Sequence, residues 1–347
     1  MADEGVEALL LSAGSDLPYL TGYRAMPLER LTMAIVRSSG PVTLVVPRLE
    51  APRVEPADFV DVIPWDETDD PVAIVSASLE APRRVAVGDE TWSSFLLRLQ
   101  DRLPGTRFVA ASPLMSRVRI HKDATEIQSL RDAAAAADRV ADRLASTRFS
   151  GRAERDLAAE VGSLLIEEGC NAVSFVIVAA GPNSASPHHE PGTRVMEEGD
   201  AVVVDFGGDV GGYHSDTTRT FHIGEPADRF RHVHDVVRQA QAAGVAAVAP
   251  GVPAEAVDRA TRLVIEEAGF GEFFIHRTGH GIGMDVHEDP YIVEGNDARL
   301  EAGMAFSVEP GIYLPGELGV RIEDIVVVTA EGAEQLNTSD RGIRVVS

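Results

Sequence analysis

The chain has 347 residues, 44% of them hydrophobic and 25% charged, the mix of a globular protein with room for two or three domains. Lys+Arg 31 against Asp+Glu 55 leaves a net charge of −24, which argues against nucleic-acid and membrane-surface partners because both present anions. No apolar run approaches the roughly 18–20 residues that span a bilayer. The chain also opens on acids, Met-Ala-Asp-Glu-Gly, where a secretory leader carries bases. Its one cysteine, Cys170, cannot form an intrachain disulfide, so a cytoplasmic setting is expected. Cys170 itself reads as a small buried apolar residue.

In chain order, Ala8–Ser12, Leu31–Val36, Val42–Val46 and Val85–Val87 read as strands. Pro71–Leu79 and Thr91–Leu99 read as helices, their apolar positions recurring three and four apart. Strands alternating with helices predict a small α/β domain. It has no cluster of histidines or carboxylates, so it is expected to act as scaffold, oligomer contact or substrate gate. The texture changes near residue 120. Asp123 followed by Glu126 predicts a capping box, opening a long helix from Ala124 to about Arg148. Further helices are expected over Ala153–Glu168, Arg229–Val248 and, after the Pro250–Pro253 break, Ala254–Ala268.

The second half sets acids inside apolar or glycine-rich runs. Asp205 interrupts AVVVDF, and after a turn at Asp209–Gly212 comes Asp216 in YHSDTTRTF. A hairpin centred on that turn would place 205 opposite 216. An ordinary alternative for Asp216 is a surface ion pair with Arg219. The arrangement recurs with Glu309 before, and Glu323 after, a turn near Pro315-Gly316. Two such hairpins suggest two halves related by an approximate internal twofold. Between them, Thr278-Gly279-His280-Gly281-Ile282-Gly283 offers one imidazole from a nearly bare backbone. Four buried carboxylates carry −4, which two divalent cations would balance; without cations, protons must. Oxygen-rich ligation with one nitrogen favours Mn²⁺, Co²⁺ or Fe²⁺, with Zn²⁺ acceptable.

AVVVDFGG…YHSDTTRTF, HRTGHGIGMDVHEDP, FSVEPGIY and GVRIEDIVVV together resemble the pita-bread metallopeptidases of the Xaa-Pro dipeptidase (prolidase) and Xaa-Pro aminopeptidase family. Ser15–Gly22 is similar, less specifically, to the domain that precedes the catalytic one in that family. The resemblance implies an α/β creatinase-like N-terminal domain over residues 1–120 and an α+β pita-bread catalytic domain (creatinase/aminopeptidase-like) over 121–347. It implies Asp205, Asp216, His280, Glu309 and Glu323 as ligands of two divalent metals, with Asp216 and Glu323 bridging.

The resemblance also places His188 at the peptide carbonyl or the leaving proline nitrogen and His287 at the scissile carbonyl oxygen; on a strand, alternation would point the neighbouring His189 away. Glu309 would shuttle the proton after attack by a hydroxide shared between the metals. Arg321 is expected to orient Asp216 or Glu323, or to meet a substrate carboxylate; Arg277 and Arg299 are further candidates for that carboxylate. The implied substrates are short peptides with proline second, and the implied assembly is a homodimer. A methionine-type aminopeptidase, a metal-free creatinase-like hydrolase and a non-catalytic binding module are the alternatives. The five ligand-type residues and the N-terminal domain weigh against them.

One expectation follows from charge alone. Lys122 is the only lysine, so either coding bias towards arginine or adaptation to molar salt shaped the composition. At about 0.01 M salt the screening length is near 30 Å and the acidic surface repels itself; at 1 M it is about 3 Å. Salt adaptation predicts that Tm rises markedly from dilute buffer to molar KCl. A flat Tm from roughly 0.05 to 2 M, where screening changes severalfold, would decide for coding bias.

Overall fold

The computed structural model describes all residues, 1–347, as two compact units, Met1–Val118 and Arg119–Ser347. The first unit is built on six strands: β1 (Ala8–Leu11), β2 (Met33–Arg37), β3 (Val42–Pro47), β4 (Val60–Trp65), β5 (Arg84–Val87) and β6 (Arg107–Ala110). They form one mixed sheet in the order β4-β3-β2-β1-β5-β6. Helices α1 (Asp16–Thr21), α2 (Pro71–Ala77) and α3 (Ser93–Arg102) belong to this unit, and α4 (Ser112–Arg119) closes it. Along β1, Leu10 joins one apolar cluster while Leu9 and Leu11 join another. A central strand covered on both faces is therefore apolar throughout rather than alternating. Asp70 caps α2 by accepting from the Val72 and Ala73 amides, with Pro71 in the first turn where no donor is needed. Strands β4 and β6 were not foreseen; both lie at sheet edges and carry exposed residues that dilute the apolar signal.

The second unit begins with α5 (Ala124–Leu144), which has the expected capping box at Asp123 and Glu126. It continues through α6 (Glu154–Glu167), β7 (Ala172–Ala180), β8 (Ala201–Val210), β9 (Tyr213–His214), β10 (Thr217–Ile223), α7 (Asp228–Ala247) and α8 (Ala254–Glu267). Then come β11 (Gly279–Gly281), β12 (Glu288–Ile292), β13 (Ala305–Val308), β14 (Gly311–Leu314), β15 (Leu318–Arg321), β16 (Asp324–Val328), β17 (Ala333–Gln335) and β18 (Arg344–Val346). One sheet runs β18-β10-β8-β7 with β9 on β8; another runs β12-β11-β13-β16-β17; β14 and β15 form a separate pair. Two helices are thus followed by one strand and a hairpin in the first half, and by two strands and a hairpin in the second. Helices α5 and α6 bury Val140, Leu144, Leu157 and Leu165 against Val202, Val204 and Phe206 of β8, leaving the opposite face for other contacts. Cys170 is buried, and burial followed by the nearby Asp209 pushes its thiol up to about 11, so it is inert packing.

The first hairpin departs from expectation in register. Val210 pairs with Tyr213 around Gly211-Gly212, both at positive φ (61° and 93°), a two-residue turn that only glycine-like residues form readily. The centre lies one residue later than the Asp209–Gly212 run suggests, so Asp205 pairs with Thr218 rather than Asp216. A shift of two in the partner keeps the same face, and Asp216 becomes the diagonal neighbour of Asp205. The second hairpin follows expectation. Val308 pairs with Asp324 and Gly311 with Arg321 in one continuous register, which sets Glu309 opposite Glu323.

Candidate active site

The acidic faces of both hairpins open into one cavity of about 640 Å³ in the second unit. Asp205, Asp216, His280, Glu309 and Glu323 all line it, together with His188, His287 and Arg321. His280 sits at the floor. A Cβ on Gly279 would lie 1.8 Å from the Ser307 carbonyl oxygen, and one on Gly281 2.2 Å from that of Asp289. The two glycines are what let β11 press between its neighbours. The His280 Nδ1–H donates to the Gly281 carbonyl (3.1 Å), which leaves Nε2 facing Asp216 Oδ2 at 3.5 Å and Glu309 Oε1 at 3.4 Å. A backbone carbonyl that fixes the tautomer in this way is a common support for a metal-binding imidazole.

The carboxylates have unequal support. Asp205 Oδ2 accepts from Arg321 Nη2 (2.6 Å) while Oδ1 has no partner. Glu323 Oε2 accepts from the Thr218 hydroxyl (2.7 Å) while Oε1 has none. Glu309 accepts from the Ser307 hydroxyl at 3.2 Å. Burial, aided by the neighbouring carboxylates and opposed by His280 and Arg321, pushes Asp216 up to about 6 and Glu309 up to about 7. Glu323 is raised well above the usual range by burial and the other three acids. For His280, burial works to lower the pKa, but Asp216 and Glu309 outweigh it and the pKa is raised. Such a set is frustrated as it stands: buried, mutually repelling, and carrying two orphaned oxygens. Three overlapping groups are close enough to share an ion: Asp205–Asp216–Glu323, His280–Glu309–Glu323 and Asp216–His280–His287, each with its ligand atoms within 4.8 Å. Oxygen donors with one imidazole nitrogen suit a divalent cation, so the residues fit a metal centre.

Arg321 does not contact Asp216 or Glu323 as expected. Its guanidinium is buried and uses four of its five N–H groups, on Thr218 Oγ1, the Pro187 carbonyl, Tyr313 Oη and Asp205 Oδ2. It supports Glu323 only indirectly, through Thr218. Arg219 likewise does not pair with Asp216. It is fully buried, donates to Asp324 Oδ1 (2.7 Å) and the Glu323 carbonyl (2.6 Å), and so braces the strand behind the site. Arg341 and Gln241 share the other oxygen of Asp324.

Two glutamates outside the cavity anchor the chain beside the flanking histidines. His188 is exposed at the rim, on a turn rather than a strand. His189 turns away, donating from Nε2 to Glu154 at 2.8 Å. Glu154, at the start of α6, also accepts from the Ala180 and Gly192 amides and the Asn183 side chain. Burial would raise this carboxyl, yet these bonds hold it below its ordinary value. Similarly, Glu288 next to His287 is clamped by Lys122 (2.6 Å) and Arg119 (2.5 Å). Neither clamp was foreseen, since a helix-start glutamate and a lone lysine look like surface charge in sequence.

Residues 128–330 match the metallopeptidase family M24 and residues 1–121 match the creatinase/prolidase N-terminal domain. The chain is 47% identical to the probable dipeptidase PepE of Mycobacterium tuberculosis, over 99% of this chain and 93% of that one. It is 34% identical to an Xaa-Pro dipeptidase of Lactobacillus helveticus, over 100% and 96%. The crystal structure of the prolidase from Thermococcus sibiricus superposes with a TM-score of 0.95 at 38% identity, over 99% and 96%. With its creatinase-type N-terminal domain and pita-bread catalytic domain, the chain therefore belongs to the M24 metallopeptidases, as the sequence motifs implied. It is an enzyme of the dipeptidase and prolidase branch. No helix is long and apolar enough to cross a membrane.

Proposed function

We propose that the chain is an Xaa-Pro peptidase that removes one N-terminal residue from short peptides with proline second, using two divalent ions held by Asp205, Asp216, His280, Glu309 and Glu323. The observation that carries this reading is the cavity set of three buried carboxylates, the partly buried Glu309 and one buried imidazole, with Asp205 Oδ1 and Glu323 Oε1 unpartnered. Asp216, Glu323 and His280 each belong to two of the ligand groups, and of these only the two carboxylates have a second oxygen to share, which supports bridging roles for Asp216 and Glu323. When bound, two divalent ions supply an activated water and polarise the scissile carbonyl; Mn²⁺ and Co²⁺ suit the donor set best, with Fe²⁺ and Zn²⁺ also compatible.

The protein's own groups do the rest. The ion-loaded cluster would leave room for the substrate's free amine, which would direct cleavage to the N-terminal residue. Glu309, its Oε1 3.4 Å from His280 Nε2 and lining the cavity, is placed to shuttle the proton. His287, its ring centroid 3.9 Å from that of His280, donates to the oxygen that gains charge in the transition state. His188 contacts the leaving proline side. A homodimer in a reducing cytoplasm completes the proposal.

Hydrolysis of Xaa-Pro, Xaa-Pro-Xaa and Met-Ala-Xaa peptides, each with Mn²⁺, Co²⁺ and Zn²⁺, tests it. Cleavage of Met-Ala-Xaa without either proline series would assign a methionine-type aminopeptidase instead. His188→Ala and His287→Ala are expected to lower kcat by about 10²–10³-fold while metal content is kept. The grouping of His287 with Asp216 and His280 favours a second reading in which His287 is itself a ligand. Loss of one metal equivalent in His287→Ala would decide for that reading.

A further inference from the structure

His188 stands at the rim of the cavity with nothing holding its ring. The side chain is exposed and makes no hydrogen bond within the protein. Such a ring is only as well placed as the backbone on either side of it. The loop that carries it, residues 181–192 between β7 and β8, has one 3-10 turn at Gly181–Ala185 and is otherwise irregular. Loops of this kind are ordinarily mobile. This one is fastened from both sides.

Before His188 the loop is tied to β15. The Ser184 hydroxyl accepts from the Gly319 amide (2.7 Å), and a Cβ on Gly319 would lie 1.9 Å from the Ser184 carbonyl oxygen. The Pro187 carbonyl accepts from Arg321 Nη1 at 3.3 Å, and the same guanidinium donates to Asp205. After His188 the loop is tied to the start of α6. His189 donates from Nε2 to Glu154 Oε2 (2.8 Å), which also accepts from the Gly192 amide (3.1 Å). Glu154 Oε1 accepts from the Ala180 amide (2.9 Å) and from Asn183 Nδ2 (3.0 Å). The Glu154 side chain is 0% exposed, so one carboxylate gathers both ends and the middle of the loop where water does not compete. The Arg155 amide donates to the Gly192 carbonyl and closes the same junction from the helix side.

We propose that Glu154 and His189 are positioning residues for His188: they fix the backbone after it, as Arg321 fixes the backbone before it, and so set its ring against the reacting peptide. This rests on the peptidase reading above, in which His188 meets the leaving proline side, and adds what makes that contact productive. Arg321 holds Pro187 and Asp205 with one planar group, so the loop is registered against the acidic face itself. Glu154 then stops the chain from swinging about that point. His189 does not line the cavity and needs no contact with substrate to do this. Misplacing a transition-state contact by about 1 Å can cost about 10²-fold, so freeing one side of the loop should be felt in turnover.

The test is a double-mutant cycle on the metal-loaded enzyme with His188→Ala, His189→Ala and the pair, on Ala-Pro or, if proline is not required, the best-cleaved dipeptide. His189→Ala is expected to lower kcat roughly tenfold where His188 is present and less than about twofold where it is absent. His189→Gln, whose amide can still donate to Glu154, should recover most of that loss. Hydrogen exchange reads the loop without turnover: amides of residues 181–192 should exchange faster in His189→Ala, and those of β8 should not. Glu154→Gln, which turns an amide N–H towards two donors, should lower kcat too and speed exchange over the same residues. Metal content and Tm of each variant control for misfolding. Equal losses from His189→Ala with and without His188, or an unchanged kcat in His189→Ala, would overturn the positioning role while leaving the peptidase reading intact. If His188→Ala itself keeps full turnover, the part given to His188 in that reading fails and the positioning role fails with it.

Discussion

Replacing Asp216 or Glu323 by alanine is expected to abolish hydrolysis and to remove both metals rather than one. Under the proposed assignment each carboxylate would be shared between the two ions, so losing either would open both halves of the centre. Metal analysis after gel filtration, beside an activity assay, is the measurement. A variant that kept one equivalent would show the two positions to be independent, and full activity after exhaustive chelation would dismiss the metal centre altogether. The physical basis is charge. Three buried carboxylates and the partly buried Glu309, with one ion-paired arginine and one imidazole, leave an excess of negative charge that the fold tolerates only by binding protons or cations. Removing one acid from the metal-free protein relieves that repulsion. Asp216→Ala and Glu323→Ala should therefore melt no lower than wild type after chelation, yet lower than wild type with metal present.

The five acidic and imidazole positions were legible because each breaks a local rule. Asp205 interrupts Val202–Val204, and His280 stands between glycines that no helix or ordinary strand would choose. A charged residue in an apolar run signals a partner, and the chain contains too few cations at the matching positions to supply one. The main helices were legible through their caps and apolar period. Pairing register was less so, because it depends on the centre of a turn. Gly211 and Gly212 move that centre by one residue, and the partner of Asp205 moves by two. Asp205 and Asp216 still share one face despite this shift because side chains in a strand repeat every two residues.

The supporting residues carry no such mark. Glu154 lies 35 positions from His189, and Lys122 lies 166 from Glu288; each looks like solvated charge until the fold buries it. Arg219 is next to a threonine run that hides its direction, and only the packing of β10 against β16 turns it towards Asp324. These contacts are long-range, so sequence spacing cannot encode them.

The metal-free protein should lose stability as pH rises from 6.5 to 8.5, and metal should abolish that slope. In the unfolded chain Asp216 and Glu309 ionise near their ordinary values of 3.8 and 4.5, whereas in the fold they hold protons up to about 6 and about 7, and Glu323 holds its proton higher still. A raised carboxyl contributes stability that is full below its unfolded value and is lost as pH climbs through its folded one. His280, also raised, acts in the same direction. Three imidazoles act oppositely. Burial, with nearby positive charge, lowers His234, His276 and His287 to about 4, which favours the fold as pH rises, but that gain is complete near the unfolded value of 6.5. Above 6.5 the raised acids therefore dominate. From pH 6.5 upward Glu309 alone gives up about 1 kcal/mol, and Glu323, held higher still, adds to it, enough to move Tm by a few degrees. With Mn²⁺ bound, cations replace those protons and the same carboxylates stabilise the fold in their charged form. Scanning calorimetry of chelated and Mn²⁺-loaded protein across this window should give two curves that diverge as pH rises. A chelated protein whose Tm is level or climbs between pH 6.5 and 8.5 would mean that the four acids do not crowd one another in the absence of metal.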